Sequence, residues 1–328
     1  MSFWFAALCR DAATQYNFEM NYRQLGRTGL RVSEISLGTV SLGADYGLPA
    51  PGEFTRPERR DAVRVIHEAV EAGINLFDTA PAYGEAEALL GEALAKRHDC
   101  FIATKVSIPA KSSAVPLRDQ IVLSLEKSLR AVKRDTLDLV QIHNATVEIL
   151  QSGEILKILS DARQAGKIRF IGVSIYTEEE ALAAIQTNAV DMIQIAYNIL
   201  DQRKSKTVLP EARKHNVGIL TRSALLKGVL SAKAEHLPAE MSALKIAADR
   251  ARQSLKVSWE NLPTAAVRFC LDSPGIDSVL IGPRTEAELH QSLSVLKMEP
   301  LGKDFLSEAE GLGLTEERLV NPALWPIK

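Results

Sequence analysis

The sequence predicts a closed barrel of eight parallel strands alternating with helices, a (β/α)8 or TIM barrel forming a single domain. Three observations lead to it. Eight short apolar runs recur along the chain, most followed by an amphipathic stretch. Several of the runs are almost continuously apolar, as in parallel strands covered on both faces. The G-x-G-x-x-G fingerprint that a doubly wound dinucleotide-binding sheet carries after its first strand is missing. Gly38-Thr-Val-Ser-Leu-Gly43 has the wrong spacing, and there is no Walker A motif.

The expected strands are Ile35–Val40, Ile74–Thr79, Cys100–Val106, Leu137–His143, Ile168–Ile175, Met192–Tyr197, Gly218–Arg222 and Ser278–Ile281. Helices are expected between them. Arg59–Ala72 puts Ala62, Val63, Ile66, Ala69 and Val70 on one face, the spacing of an amphipathic helix. Ala86–Lys96, Leu117–Val132, Glu148–Gln164, Glu178–Thr187 and Ser205–Lys214 follow. Gly73 and Gly166 stand where a glycine ends a helix. Asp119 and Glu178 lie in first turns, where a carboxylate suits the positive helix end. Before the eighth strand come two more helices, about Ala243–Leu255 and Pro263–Leu271, and a last helix starts near Thr285.

Length agrees with this reading. The chain has 328 residues, and a barrel of this kind needs about 250 plus insertions. Residues 1–20 are expected to precede the domain, which spans 21–328, as a disordered extension or an arm packed on the barrel. Lys and Arg number 39 against 41 Asp and Glu, without a long basic run, so neither nucleic acid nor a membrane is an expected partner. No run approaches the ~18 apolar residues of a membrane span, and the N-terminus lacks the basic start of a signal peptide. Cys9, Cys100 and Cys270 form no CxxC or Cys/His cluster. Reduced thiols, a cytoplasmic location and no metal are therefore expected. The oligomeric state stays open.

The chemistry lies at the ends of consecutive strands. Asp78 ends the second, with Tyr83 just beyond; Lys105 ends the third and His143 the fourth. In a barrel all of these face the C-terminal rim, where active sites sit. Interconverting a carbonyl and an alcohol moves a hydride at carbon and a proton at oxygen. Tyrosine is a weak acid with an ordinary pKa of about 10, and an ammonium beside it favours the ionised form. A carboxylate holds that ammonium in place, and a histidine polarises the carbonyl. The expected roles are Tyr83 as acid/base, Lys105 as its tuner, Asp78 as orienter and His143 as polariser. Taken singly, each residue also has a structural explanation: a helix cap, an edge lysine, a packed aromatic, a core histidine.

These motifs resemble the aldo-keto reductases over about residues 21–298. The resemblance rests on Tyr22-Arg-Gln-Leu-Gly-Arg-Thr-Gly-Leu-Arg-Val-Ser33, Gly73-Ile-Asn-Leu-Phe-Asp-Thr-Ala80 with Tyr83-Gly84, Thr104-Lys105, and Leu137-Asp-Leu-Val-Gln-Ile-His143. It implies NADPH or NADH bound without a Rossmann domain, and a catalytic tetrad of Asp78, Tyr83, Lys105 and His143. It places Thr39 near the nicotinamide, Asp78 also at the ribose, and Ser174 and Gln194 at the carboxamide. Ile175 stands where many members carry Asn. Arg222 replaces the aromatic that commonly stacks on the nicotinamide, and its planar guanidinium can stack as well. Ser223, Leu225, Gly228 and Leu230 match the pyrophosphate loop. Gly282, Arg284, Glu288 and Ser292 match the adenine end, where a helix N-terminus suits a phosphate. Arg284 favours a 2′-phosphate and Glu288 opposes it, leaving a slight preference for NADPH.

The resemblance therefore implies an NAD(P)-dependent oxidoreductase acting on a small carbonyl, alcohol or sugar. Leu42-Gly-Ala-Asp-Tyr-Gly47 and the short Pro81-Ala-Tyr-Gly84 also resemble an NAD-dependent sugar 1-dehydrogenase of the galactose-dehydrogenase kind. A cofactor-binding regulatory subunit, like the potassium-channel β subunits, is the other alternative. Specificity is expected from residues 44–57, 107–116 and 225–241 and from the tail, with Tyr46, Leu226 and Trp325 as candidate wall residues.

Overall fold

The computed structural model describes residues 18–48, 55–108 and 115–326. The expectations for residues 1–17, Cys9 among them, and for loop segments 49–54 and 109–114 lie outside the described residues. The chain opens with a hairpin, β1 (Tyr22–Gln24) and β2 (Arg31–Ser33), paired antiparallel. Eight parallel strands then close into the expected barrel: β3 (Ile35–Gly38), β4 (Leu76–Asp78), β5 (Phe101–Ser107), β6 (Leu137–His143), β7 (Ile168–Ile175), β8 (Met192–Ala196), β9 (Gly218–Arg222) and β10 (Ser278–Ile281). β10 pairs with both β3 and β9, which closes the ring.

The helices around it are α1 (Val40–Gly43), α2 (Arg59–Glu71), α3 (Ala86–Ala93), α4 (Leu117–Val132), α5 (Val147–Ser152), α6 (Glu154–Gln164), α7 (Glu178–Gln186), α8 (Val208–Lys214), α9 (Ser242–Ser254), α10 (Leu262–Asp272), α11 (Glu286–Leu293), α12 (Lys303–Glu310) and α13 (Glu317–Val320). Local chemistry sets several boundaries. α7 starts in a capping box, in which Thr177 and Glu180 each accept from the other's backbone region. Pro263 sits in the first turn of α10, where its missing N–H costs nothing.

Several expected elements differ, among them Ile35–Val40, which ends at Gly38 before Val40 opens α1, and Ala86–Lys96, which ends at Ala93. Glu148–Gln164 is two helices, because Gly153 adopts a left-handed φ of 67° between α5 and α6. Ser205–Lys214 becomes helical only at Val208, after turns organised by Asn198, whose Oδ1 accepts from Leu200 N and Asp201 N. Ile74–Thr79 shortens to Leu76–Asp78 because Asn75 turns to the hairpin, bonding Ser33 N and Arg31 O.

The hairpin closes the N-terminal end of the barrel. Leu25, Leu30 and Val32 pack there with Leu76, Ala103, Leu139, Met192 and Leu220 as a cluster of its own. Its turn presses against β9: a Cβ at Gly26 would collide with the backbone of Gly218. The larger core lies between the strands and the helices. One end of the barrel is thus sealed by apolar packing, which leaves the other for chemistry. No helix among the described residues is long and apolar enough to cross a membrane, and Cys100 and Cys270 are buried thiols.

Leu25 is fully buried in the plug. Leu25→Ala should destabilise the protein by about 2–5 kcal/mol through the cavity it leaves, read as a lower urea midpoint. An unchanged midpoint would contradict the plug.

Candidate active site

The C-terminal rim holds the four polar residues, each placed by the end of its strand. Asp78 closes β4 and lies almost wholly buried. Its carboxylate accepts from Lys105 Nζ at 2.7 Å, Gln141 Nε2 at 2.8 Å and Gln194 Nε2 at 2.7 Å. Lys105, fully buried on β5, also donates to Thr79 O at 2.9 Å. Burial alone would favour the neutral amine; the Asp78 carboxylate and Tyr83 outweigh it and hold the ammonium above its ordinary value.

Tyr83 stands on the turn after β4, with Lys105 Nζ 5.0 Å from its ring centre. His143, at the end of β6, meets that ring edge-on with centroids 6.0 Å apart. Burial, then the Lys105 charge, push His143 down to about 4, so its imidazole is neutral at pH 7. A weakly acidic hydroxyl thus stands beside a fixed ammonium and a neutral imidazole, a set able to exchange a proton with a small ligand.

The turn itself is held by close backbone contact. Thr39 N and Oγ1 both donate to Asp78 O. A Cβ at Gly43 would collide with Tyr83 O, and one at Gly84, whose φ is 59°, with Gly43 O. Only glycine at these two positions lets α1 and the Tyr83 turn approach so closely.

From Tyr83 a cleft of ≈ 680 Å³ runs across the rim to α11. Thr39, Asp78, Tyr83, Gln194, Arg222, Ser223, Leu225, Gly228, Gly282, Arg284, Glu288 and Ser292 line it, as does Tyr46. Lys105, fully buried, and His143, half-buried, are not part of that lining. Four other expected residues lie outside that lining. Leu230 and Leu226 are fully buried in the core. Ser174 is buried between His143 and Gln194 in register, outside the lining. Trp325 is buried against the main core, its Nε1 donating to Leu319 O. Gln194 reaches the cleft, but its amide is committed to Asp78.

The far end of the cleft is charged. Arg284, buried at the entrance to α11, carries an Nη1 without a hydrogen-bond partner among the described residues. Glu288 accepts from Arg284 N at 2.6 Å and lies 3.6 Å from Arg284 Nη2 and 3.9 Å from Lys233 Nζ. Between the two ends, Ser223, Leu226 and Lys227 all have left-handed φ angles, a conformation that non-glycine residues keep only where the surroundings impose it and that clusters in ligand-clamping loops. Leu48 N donates to Lys227 O across this stretch. An elongated cleft with a buried orphan guanidinium nitrogen fits a dinucleotide phosphate chain. No group of three or more metal-ligating side chains occurs among the described residues.

Sequence reasoning missed Gln141, Lys233 and Tyr176. Gln141 was visible as an amide inside an apolar run, and Lys233 as a cation closing the loop Lys227–Lys233. Nothing in the sequence pointed to Tyr176, which lies under the Arg222 guanidinium at 4.2 Å.

Removing one member of a buried ion pair strands the other, at about 3–5 kcal/mol. Lys105→Met should therefore cost more than the double variant Lys105→Met/Asp78→Asn in urea denaturation. Equal or additive losses would show that the pair is not coupled.

Comparison with known proteins agrees with this geometry. Residues 34–313 match the Aldo/keto reductase family, a span that takes in all eight barrel strands and the four rim residues. The chain is 30% identical over 304 residues to the aldo-keto reductase YhdN of Bacillus subtilis, covering 82% of this chain and 87% of that one. It is 30% identical over 314 residues to L-galactose dehydrogenase of Arabidopsis thaliana, covering 90% and 94%. The holo form of aldo-keto reductase AKR11C1 from Bacillus halodurans superposes with a TM-score of 0.76 at 26% identity, covering 91% and 98%. The chain belongs to the aldo/keto reductase family of oxidoreductases.

Proposed function

We propose that the protein binds a nicotinamide dinucleotide along this cleft and interconverts a small carbonyl compound with its alcohol at the Tyr83 end. The observation that carries the reading is the junction of the buried Asp78–Lys105 pair, Tyr83 and His143 with a cleft whose other end holds a partnerless buried arginine nitrogen. When bound, the dinucleotide supplies or accepts the hydride. Tyr83 gives its hydroxyl proton to the carbonyl oxygen, or takes one from the alcohol, with Lys105 stabilising the ionised hydroxyl. Neutral His143 donates a hydrogen bond to the same oxygen. Asp78 keeps Lys105 in place and charged.

The position of Glu288 moves the expected cofactor preference from NADPH to NADH. Its carboxylate bonds the Arg284 amide and faces both Arg284 and Lys233, so the anion position at the start of α11 is already taken. A 2′-phosphate there meets a like charge, whereas a 2′-hydroxyl finds an acceptor. The similarity to L-galactose dehydrogenase supports a second substrate reading, oxidation of a free sugar at its anomeric hydroxyl.

Two experiments test these readings. Aldehydes and free sugars are screened with both cofactors in both directions, in wild type and Tyr83→Phe. The variant should lose about 10²–10⁴-fold in turnover while binding cofactor normally; wild-type turnover would remove Tyr83 from the reaction. Glu288→Gln should raise the NADPH/NADH affinity ratio on the order of tenfold, discounted for the pair's partial exposure. An unchanged ratio in fluorescence titration would place the cofactor choice elsewhere.

A further inference from the structure

The hydride and the proton must reach the same carbonyl group. On the function proposed above, the reactive ring of the dinucleotide therefore lies at the Tyr83 end of the cleft. Arg222 lines that end from the tip of β9. Its guanidinium is held as a plate: one face on the Tyr176 ring at 4.2 Å, an edge donating to Ile175 O at 3.0 Å, and Ser223 Oγ at 3.4 Å. Its charge reaches His143, adding to the burial and the Lys105 charge that hold that imidazole neutral.

Charge balance sets Arg222 apart. Arg284 and Lys233 face Glu288, and Lys105, outside the lining, faces Asp78. Among the described residues, Arg222 and Lys227 are the lysine and arginine side chains lining the cleft with no carboxylate in ion-pairing range. Lys227 lies further out, its Nζ 5.4 Å from the Tyr46 ring centre. The reactive end thus carries an immobilised, uncompensated positive charge.

An oxidised nicotinamide ring carries a positive charge and a reduced ring none. The phosphates and adenosine are the same in both forms, so their attraction to the cleft cancels in a comparison of the two. What remains is the repulsion between the guanidinium and the oxidised ring. We infer that Arg222 makes the site discriminate by cofactor oxidation state, binding the reduced dinucleotide more tightly than the oxidised one. By linkage, the bound cofactor is easier to reduce than the free one. The equilibrium on the enzyme is displaced toward carbonyl and reduced cofactor, the direction of an alcohol or sugar dehydrogenase.

The test is equilibrium binding of NAD⁺, NADH, NADP⁺ and NADPH to the full-length chain by calorimetry, without substrate. Wild type should bind the reduced forms on the order of tenfold more tightly than the oxidised forms, and added salt should shrink that ratio. Arg222→Met and Arg222→Gln should abolish most of it, chiefly by tightening the oxidised forms. Arg222→Lys should retain it. A ratio unchanged in folded Met or Gln variants overturns the inference; if neither folds, a wild-type ratio insensitive to salt does. Failure of all four dinucleotides to bind wild type would instead overturn the proposed function itself.

Discussion

The rim depends on one buried ion pair. Asp78 and Lys105 are both removed from water, and each charge taken out of water costs several kcal/mol before compensation. Three donors on the carboxylate and a second acceptor on the ammonium offset that cost. The donors come from β5, β6 and β8, so the carboxylate ties β4 to strands on its own side of the barrel and to one well round the ring. Removing any member disturbs several strand ends at once. Tyr83 and His143 take their electrostatic surroundings from this knot, and the neutrality of His143 follows partly from the ammonium beside it.

The two ends of the cleft treat charge in opposite ways. At the α11 end, Glu288 occupies cationic groups that would otherwise await a phosphate. At the Tyr83 end, Arg222 is left without a carboxylate and is held by an aromatic face and a carbonyl instead. On the function proposed above, the first arrangement bears on which dinucleotide enters and the second on its oxidation state. Both are set by side chains outside the Asp78–Tyr83–Lys105–His143 set, so the surroundings of that set can be tuned without altering it.

Much of this was legible in the sequence. Leu137–His143, Ile168–Ile175, Gly218–Arg222 and Ser278–Ile281 are strands over the residues expected, because fully covered strands are apolar throughout. The rim residues stood out because a polar side chain ending such a run has to be accounted for. The β1–β2 hairpin was not identified as strands: each is three residues long, and β1 is largely exposed. Periodicity runs unbroken through Gly153, so the division of α5 from α6 depends on a backbone angle that apolar spacing does not register. Gln141 escaped because an amide inside a strand acquires a role only when Asp78, 63 residues away in sequence, is brought beside it. Trp325 shows the converse, since an aromatic in a tail has the same composition whether it walls a cleft or, as here, packs into the core.

The interlock of Gly43 and Gly84 bears on mutational tolerance. Neither residue has a side chain, a charge or a proton to give, yet the backbone contact between them holds the turn that carries Tyr83. A methyl group at either position pushes against main chain, which cannot swing away as a flexible side chain can. The barrel strands and the hairpin plug at the opposite end are not part of that contact. On the function proposed above, substitution there acts on the placement of Tyr83 rather than on its chemistry. Intolerance around the active site therefore extends to positions with no functional group at all, where a search by chemical type finds nothing.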